Sequence, residues 1–101
     1  MTIRIVIADD HSVVRQGLIM ALTVDPDMDV VGEAANGAAA LELVRELRPN
    51  VVVMDLKMPV LDGVTATATI RAEMPDTEVV ALTSALDDDS VVGAIRAGAI
   101  G

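Results

Sequence analysis

The stretch IRIVIADDHS, residues 3–12, runs four apolar residues, Ile5 to Ala8, straight into two adjacent aspartates, Asp9 and Asp10. A buried strand that ends on two neighbouring negative charges needs something positive, or water, to meet them. Three further apolar runs follow: Val30 to Ala34, Val51 to Met54 and Val79 to Leu82. The runs at 51 and 79 are nearly continuous in Val, Leu and Ala rather than alternating, which suits strands buried on both faces of a parallel sheet. The gaps between runs are long enough for helical crossovers.

The gaps themselves read as helices. In the first, Val14, Leu18, Ala21 and Leu22 share a face, and Asp25-Pro26 stops the helix. In the second, Asn36 caps, Ala40, Leu43, Val44 and Leu47 form a stripe, and Arg45 and Arg48 precede Pro49. The third holds VTATATI, which alternates like a strand and is rich in β-branched threonine. A helix is expected there nonetheless: a parallel neighbour needs a crossover, Asp62 can cap it, and Val64, Ala68 and Ile70 can face inward. After the fourth run, Asp87 to Asp89 can cap a helix carrying Val91, Val92 and Ile95, with Gly98 ending it. The order β-α-β-α-β-α-β-α predicts an open α/β fold with a parallel, doubly wound sheet.

Composition narrows the function. The chain has 101 residues, suited to one domain, and 52% are apolar with no aromatic residue. The core is therefore aliphatic, with the methionines as gap fillers. Sixteen acidic residues face seven basic ones, a net charge of −9. That balance argues against direct nucleic acid binding by this chain. Cysteine is absent, which removes disulfides and thiolate metal sites. No apolar run approaches the roughly 18 residues of a membrane span, and no signal-peptide pattern precedes Asp9. A cytoplasmic protein with no membrane partner is expected.

In open α/β sheets, ligands bind beyond the C-terminal strand ends at the switch point in strand order. Asp9 and Asp10 end the first strand and Asp55 ends the third. As neighbours, those strands would lie about 5 Å apart. Three carboxylates at one crevice suit a hard divalent cation, and Mg2+ takes oxygen ligands from carboxylates, waters and phosphates. Asp55 can also accept a phosphoryl group as an acyl phosphate. Each residue alone has a plainer reading. Asp9 to Ser12 can be a helix-capping cluster, Asp55 a turn former and Asp62-Gly63 a turn-and-cap pair. Thr83 and Ser84 can satisfy backbone groups, His11 can be solvated, and Lys57 can be an exposed loop residue. Coincidence changes the odds: Asp9, Asp10, Asp55 and Thr83 all fall at C-terminal strand ends of one sheet.

Together, IVIADDHSVVRQGL, VVGEAANGAAALELV, PNVVVMDLKMPVLDG, VVALTSALDDD and AGAIG resemble the receiver domain of two-component response regulators. The wording is nearest the NarL/FixJ branch, whose members usually carry a LuxR-type DNA-binding output domain. The resemblance spans residues 1–101 and implies a flavodoxin-like sheet of order 2-1-3-4. It implies phosphorylation of Asp55 by a sensor histidine kinase. It implies a Mg2+ site built from Asp10, Asp55 and the Lys57 backbone carbonyl, with Asp9 acting through water. Thr83 would be the switch residue, Ser84 would support the phosphoryl site, and Pro59, Asp62 and Gly63 would shape the adjoining loop. The family continues with a fifth strand, carrying an aromatic residue and a lysine, and a fifth helix; the sequence stops at Gly101. A C-terminally incomplete receiver is therefore expected. So is weakened switching, or an inert fragment, and self-association through an exposed fourth-strand edge or an uncovered sheet face. Two other chemistries fit less well. An aspartyl-phosphate hydrolase of the haloacid dehalogenase type wants Asp two residues after the nucleophile, where Lys57 stands. A flavin or nucleotide site wants a phosphate-binding loop where the acidic pair would repel the ligand.

Overall fold

The first strand pairs with both the second and the third in a computed structural model, which describes residues 2–56, 58, 60–82 and 95. The elements are β1 (Ile3–Ala8), α1 (Ser12–Thr23), β2 (Met28–Ala34), α2 (Gly37–Leu47), β3 (Val51–Asp55), α3 (Gly63–Glu73) and β4 (Glu78–Leu82). All strand pairs are parallel, in the order β2-β1-β3-β4. The sheet is the doubly wound, flavodoxin-like one expected.

Side chains alternate between two apolar layers, as a strand period of two requires. Ile3, Ile5, Ile7, Val51, Val53 and Val80 pack with Leu18 and Leu22 of α1. Val6, Ala8, Val52, Met54 and Val79 pack with Ala40 and Val44 of α2 and with Ala66 and Ile70 of α3. Covering both faces is what allows nearly unbroken apolar strands.

Four details depart from the sequence reading. β2 begins at Met28, earlier than its apolar run, and a register shift opposite Ile5 and Val6 inserts an extra residue. In α1 the buried positions are Leu18 and Leu22, while Val14 is 43% exposed. In α3 the inward face is Ala66 and Ile70, continued by Met74, with Val64 and Ala68 exposed. Val64 and Ala68 lie one turn apart, but neither shares a stripe with Ile70, which sets the phase. Finally, among the described side chains the bare apolar face expected on the third and fourth strands is mostly covered: Val51 to Met54 are fully buried and Val79 and Val80 nearly so, with Ala81 exposed. Ile95, helical and fully buried, lies in the α1-side layer and contributes to that cover. The rest of the expected fourth helix, and whatever lies beside the β4 edge after Leu82, fall outside the described residues.

The N-terminal end of the sheet is tied down by polar groups. The Arg4 guanidinium donates to the carbonyls of Leu47 (2.8 Å) and Arg48 (3.1 Å), closing the C-terminus of α2. The Arg4 N–H donates to the Asn50 side-chain Oδ1 and the Asn50 N–H to the Arg4 carbonyl, while the Thr77 hydroxyl donates to the Pro49 carbonyl. Arg45 turns instead to Glu73 of α3 in a two-pronged pair at 2.7 and 3.1 Å. Among the described residues, no helix is long and apolar enough to cross a membrane.

Candidate functional site

The C-terminal strand ends carry the chemistry. β1 and β3 run in register up to Ala8 opposite Met54, so the next residues along, Asp9 and Asp55, flank one another. One ligand atom from each of Asp9, Asp10, His11 and Asp55 lies within 4.8 Å of the other three. The three carboxylates expected at the switch point in strand order therefore lie together.

Asp9 is 3% exposed, and a buried carboxylate requires partners. Its Oδ1 accepts the His11 backbone N–H at 2.8 Å, a local turn of the kind Asp favours. Its backbone N–H donates to Ala34 of β2, and its carbonyl accepts from the Arg15 guanidinium at 2.6 Å. Arg15 also reaches Glu33 of β2 (3.3 Å), so α1 and β2 together hold the aspartate turn. The pair does not cap α1. The N-cap is His11, with extended backbone and no side-chain cap bond.

His11 and Arg15 are the residues the sequence reading missed here. The His11 ring is 68% exposed, yet its Nδ1 lies 3.1 Å from Asp9 Oδ1 and 2.9 Å from Asp10 Oδ1. The hydrogen bond to Asp9, reinforced by the Asp10 charge, raises the imidazole pKa above its ordinary value. Adjacency to the acidic pair was the available signal for His11. Arg15 had none, because only the folded position of Glu33 and of the Asp9 carbonyl gives its side chain a destination.

Two loop residues have clear physical roles. Asp62 caps α3, its carboxylate accepting from the Thr65 backbone (2.7 Å) and hydroxyl (3.2 Å), which holds its pKa below the ordinary carboxylate value. Gly63 lies against the Asp55 backbone: a Cβ there would collide with the Asp55 carbonyl oxygen and crowd Leu56. Its N–H donates to the Leu56 carbonyl at 3.2 Å. The start of α3 thus presses on the strand end that presents Asp55. Lys57, Pro59, Thr83 and Ser84, the other expected site residues, lie outside the described residues.

The donor set fits a hard cation. It supplies three carboxylates at one strand-end crevice, one of them buried, within the short span that a small, oxygen-seeking ion requires.

The chain is similar to known proteins along nearly its whole length. The family model described as the response regulator receiver domain matches residues 5–101. The chain is 47% identical over 96 residues to the transcriptional regulatory protein YhcZ of Bacillus subtilis (strain 168), covering 95% of this chain and 45% of that protein. To the transcriptional regulatory protein LiaR of the same organism it is 45% identical over 98 residues, covering 97% and 46%. It thus spans about half the length of the curated relatives it matches. Among solved structures, a LuxR-family two-component response regulator from Aurantimonas sp. SI85-9A1 superposes with a TM-score of 0.87 at 31% identity, covering 100% of this chain and 87% of that one. The signal receiver domain of the response regulator NarL from Mycobacterium tuberculosis gives 0.79 at 35% identity, covering 98% and 76%. With strand order, acidic crevice and relatives in agreement, this chain belongs to the receiver domains of two-component response regulators, in their NarL/LuxR branch.

Proposed function

We propose that Asp55 accepts a phosphoryl group from a phosphohistidine on a sensor histidine kinase. Mg2+ would be held by Asp10, Asp55 and the Lys57 backbone carbonyl, with Asp9 acting through water. The observation that carries this reading is the convergence of Asp9, Asp10 and Asp55 at the ends of β1 and β3.

An Asp55 carboxylate oxygen attacks phosphorus; the new P–O bond forms as the P–N bond to the donor imidazole breaks. The acyl phosphate then resides on Asp55. Such a transfer depends on positioning and charge neutralisation more than on acid–base help. When bound, Mg2+ supplies the positive charge that a phosphoryl group needs beside three carboxylates. The protein's own part is placement. Strand register sets Asp55 beside Asp9, Gly63 lets α3 close onto the Asp55 backbone, and Arg15 fixes the Asp9 carbonyl.

Thr83 and Ser84 would engage the phosphoryl oxygens and pass the change onward. In a longer protein of the kind the relatives represent, the output would be transcription, through a LuxR-type DNA-binding domain. A cytoplasmic setting goes with that reading. The chain acts as phosphoryl acceptor in this scheme, not as an enzyme turning over a substrate.

Incubation with a small phosphodonor and Mg2+, read by intact mass, is the test. One added phosphoryl group is expected on the wild type and none on Asp55→Asn. Equal labelling of the variant would move the acceptor elsewhere.

A further inference from the structure

His11 is the chain's single histidine, and no cysteine accompanies it. Its backbone is extended, with φ −100° and ψ 108°, and its N–H is pinned to Asp9 Oδ1 at 2.8 Å. That bond brings the ring back over the acidic pair, with Nδ1 3.1 Å from Asp9 Oδ1 and 2.9 Å from Asp10 Oδ1. In an octahedral complex with bonds of about 2.1 Å, adjacent ligand atoms lie about 3.0 Å apart and opposite ones about 4.2 Å. The 2.9 Å separation from Asp10 Oδ1, the direct ligand of that pair, matches an octahedral edge. The ligand atoms of Asp10, His11 and Asp55 lie within 4.8 Å of one another, so closing these three onto one ion takes a contraction of roughly half an ångström at most.

We propose that His11 Nδ1 is a ligand to first-row transition cations at this site, making it a mixed imidazole–carboxylate centre that discriminates among divalent ions. The inference rests on the reading of Asp9, Asp10 and Asp55 as a cation centre. Imidazole adds most to the affinity of Ni2+ and its neighbours and less to that of Mn2+, following the Irving–Williams order. Mg2+ keeps oxygen ligands and water, so the ring contributes nothing to Mg2+ affinity. The ring's exposure of 68% leaves its second nitrogen open to water, and metal-bound imidazoles usually keep such an outer partner. The competing arrangement is an imidazolium counterion resting on the carboxylates. Every incoming cation would have to displace it, so its removal would tighten all of them alike.

The test is calorimetric titration of the whole chain with Mg2+, Mn2+ and Ni2+, in the wild type and in His11→Ala. His11 makes no side-chain cap bond, so the substitution leaves the start of α1 intact. The variant is expected to lose Ni2+ affinity on the order of tenfold, lose less for Mn2+, and keep its Mg2+ affinity. Pulsed EPR of bound Mn2+ should show imidazole nitrogen coupling in the wild type and none in His11→Ala. With a single histidine in the chain, that signal has one source. Cation binding without nitrogen coupling, or Mg2+ and Ni2+ affinities moving together, overturns the ligand role alone. A wild type that binds none of the three cations overturns the cation centre, and the ligand role with it.

Discussion

Val60 carries the backbone strain of the loop after Asp55. Its φ of 71° is in the left-handed region, where a β-branched side chain crowds its own backbone. The side chain is 83% exposed, so packing does not repay the cost. Residues held this way store about 1–3 kcal/mol. Glycine relieves the strain but makes the unfolded chain freer by about 0.4–1 kcal/mol. Val60→Gly should therefore stabilise the protein by about 1 kcal/mol, measured by urea unfolding; an unchanged or lower midpoint would show that the loop is unstrained. Asp62 makes a second prediction. Its folded-state pKa lies below the ordinary carboxylate value because the Thr65 backbone and hydroxyl bind the charged form. A depressed pKa contributes stability that is complete above the unfolded-state value and lost as pH falls through the folded-state value. Stability should accordingly decline below about pH 4, and less steeply in Asp62→Asn, which keeps a capping oxygen but cannot titrate. Parallel acid profiles for the two proteins would refute the assignment.

At the scale of elements, α3 is the instructive case. Its alternating threonines favour a strand locally, and the helix forms by giving those hydroxyls other work. Thr65 bonds the Asp62 carboxylate, and Thr69 bonds the Thr65 carbonyl one turn back at 3.0 Å. Thr67 is different: its hydroxyl is buried with no hydrogen-bond partner among the described residues. A buried, unsatisfied hydroxyl costs about 1–3 kcal/mol. Thr67→Val keeps the shape and the β-branching while removing the polar atom. It should raise stability by about 1 kcal/mol, and a loss of that size would mean the hydroxyl is bonded after all. α2 shows the opposite design. Asn36 accepts the Ala39 N–H at 2.8 Å at one end, and Arg4 closes the other from across the sheet. The Arg45–Glu73 pair between α2 and α3 is half-exposed, so salt should screen it and its weight in stability is small.

Across the whole molecule, the two ends of the sheet do different jobs. The N-terminal end is closed by Arg4, Asn50 and Thr77, and the C-terminal end gathers negative charge. Between them lie two aliphatic layers filled without a single aromatic ring. Ile95 is fully buried in the α1-side layer with Ile5, Val53 and Val80. Ile95→Ala should thus cost about 2–5 kcal/mol, the range for truncating a buried isoleucine. A cost under about 0.5 kcal/mol, as at an ordinary surface site, would show that this side chain is no part of the core.

The sequence by itself determined the number, order and type of the described elements. Apolar runs separated by capped helical stretches leave a parallel α/β sheet as the consistent packing. It also marked Asp9, Asp10 and Asp55, because strand ends and carboxylates are both visible as local pattern. Asp62 as a cap was legible for the same reason. Only the tertiary structure decided matters that depend on what lies across space. The inward face of α3 follows the phase set by Ile70 against the sheet, and VTATATI alone gives two periods at once. Gly63 matters because the Asp55 carbonyl occupies the space a Cβ would need. Arg15 finds the Asp9 carbonyl and Glu33 through contacts that no spacing along the chain encodes, and the fold turns the His11 ring back onto its sequence neighbours Asp9 and Asp10. Local pattern carries periodicity and capping, whereas the direction of a long polar side chain is settled by the partners that folding brings within reach.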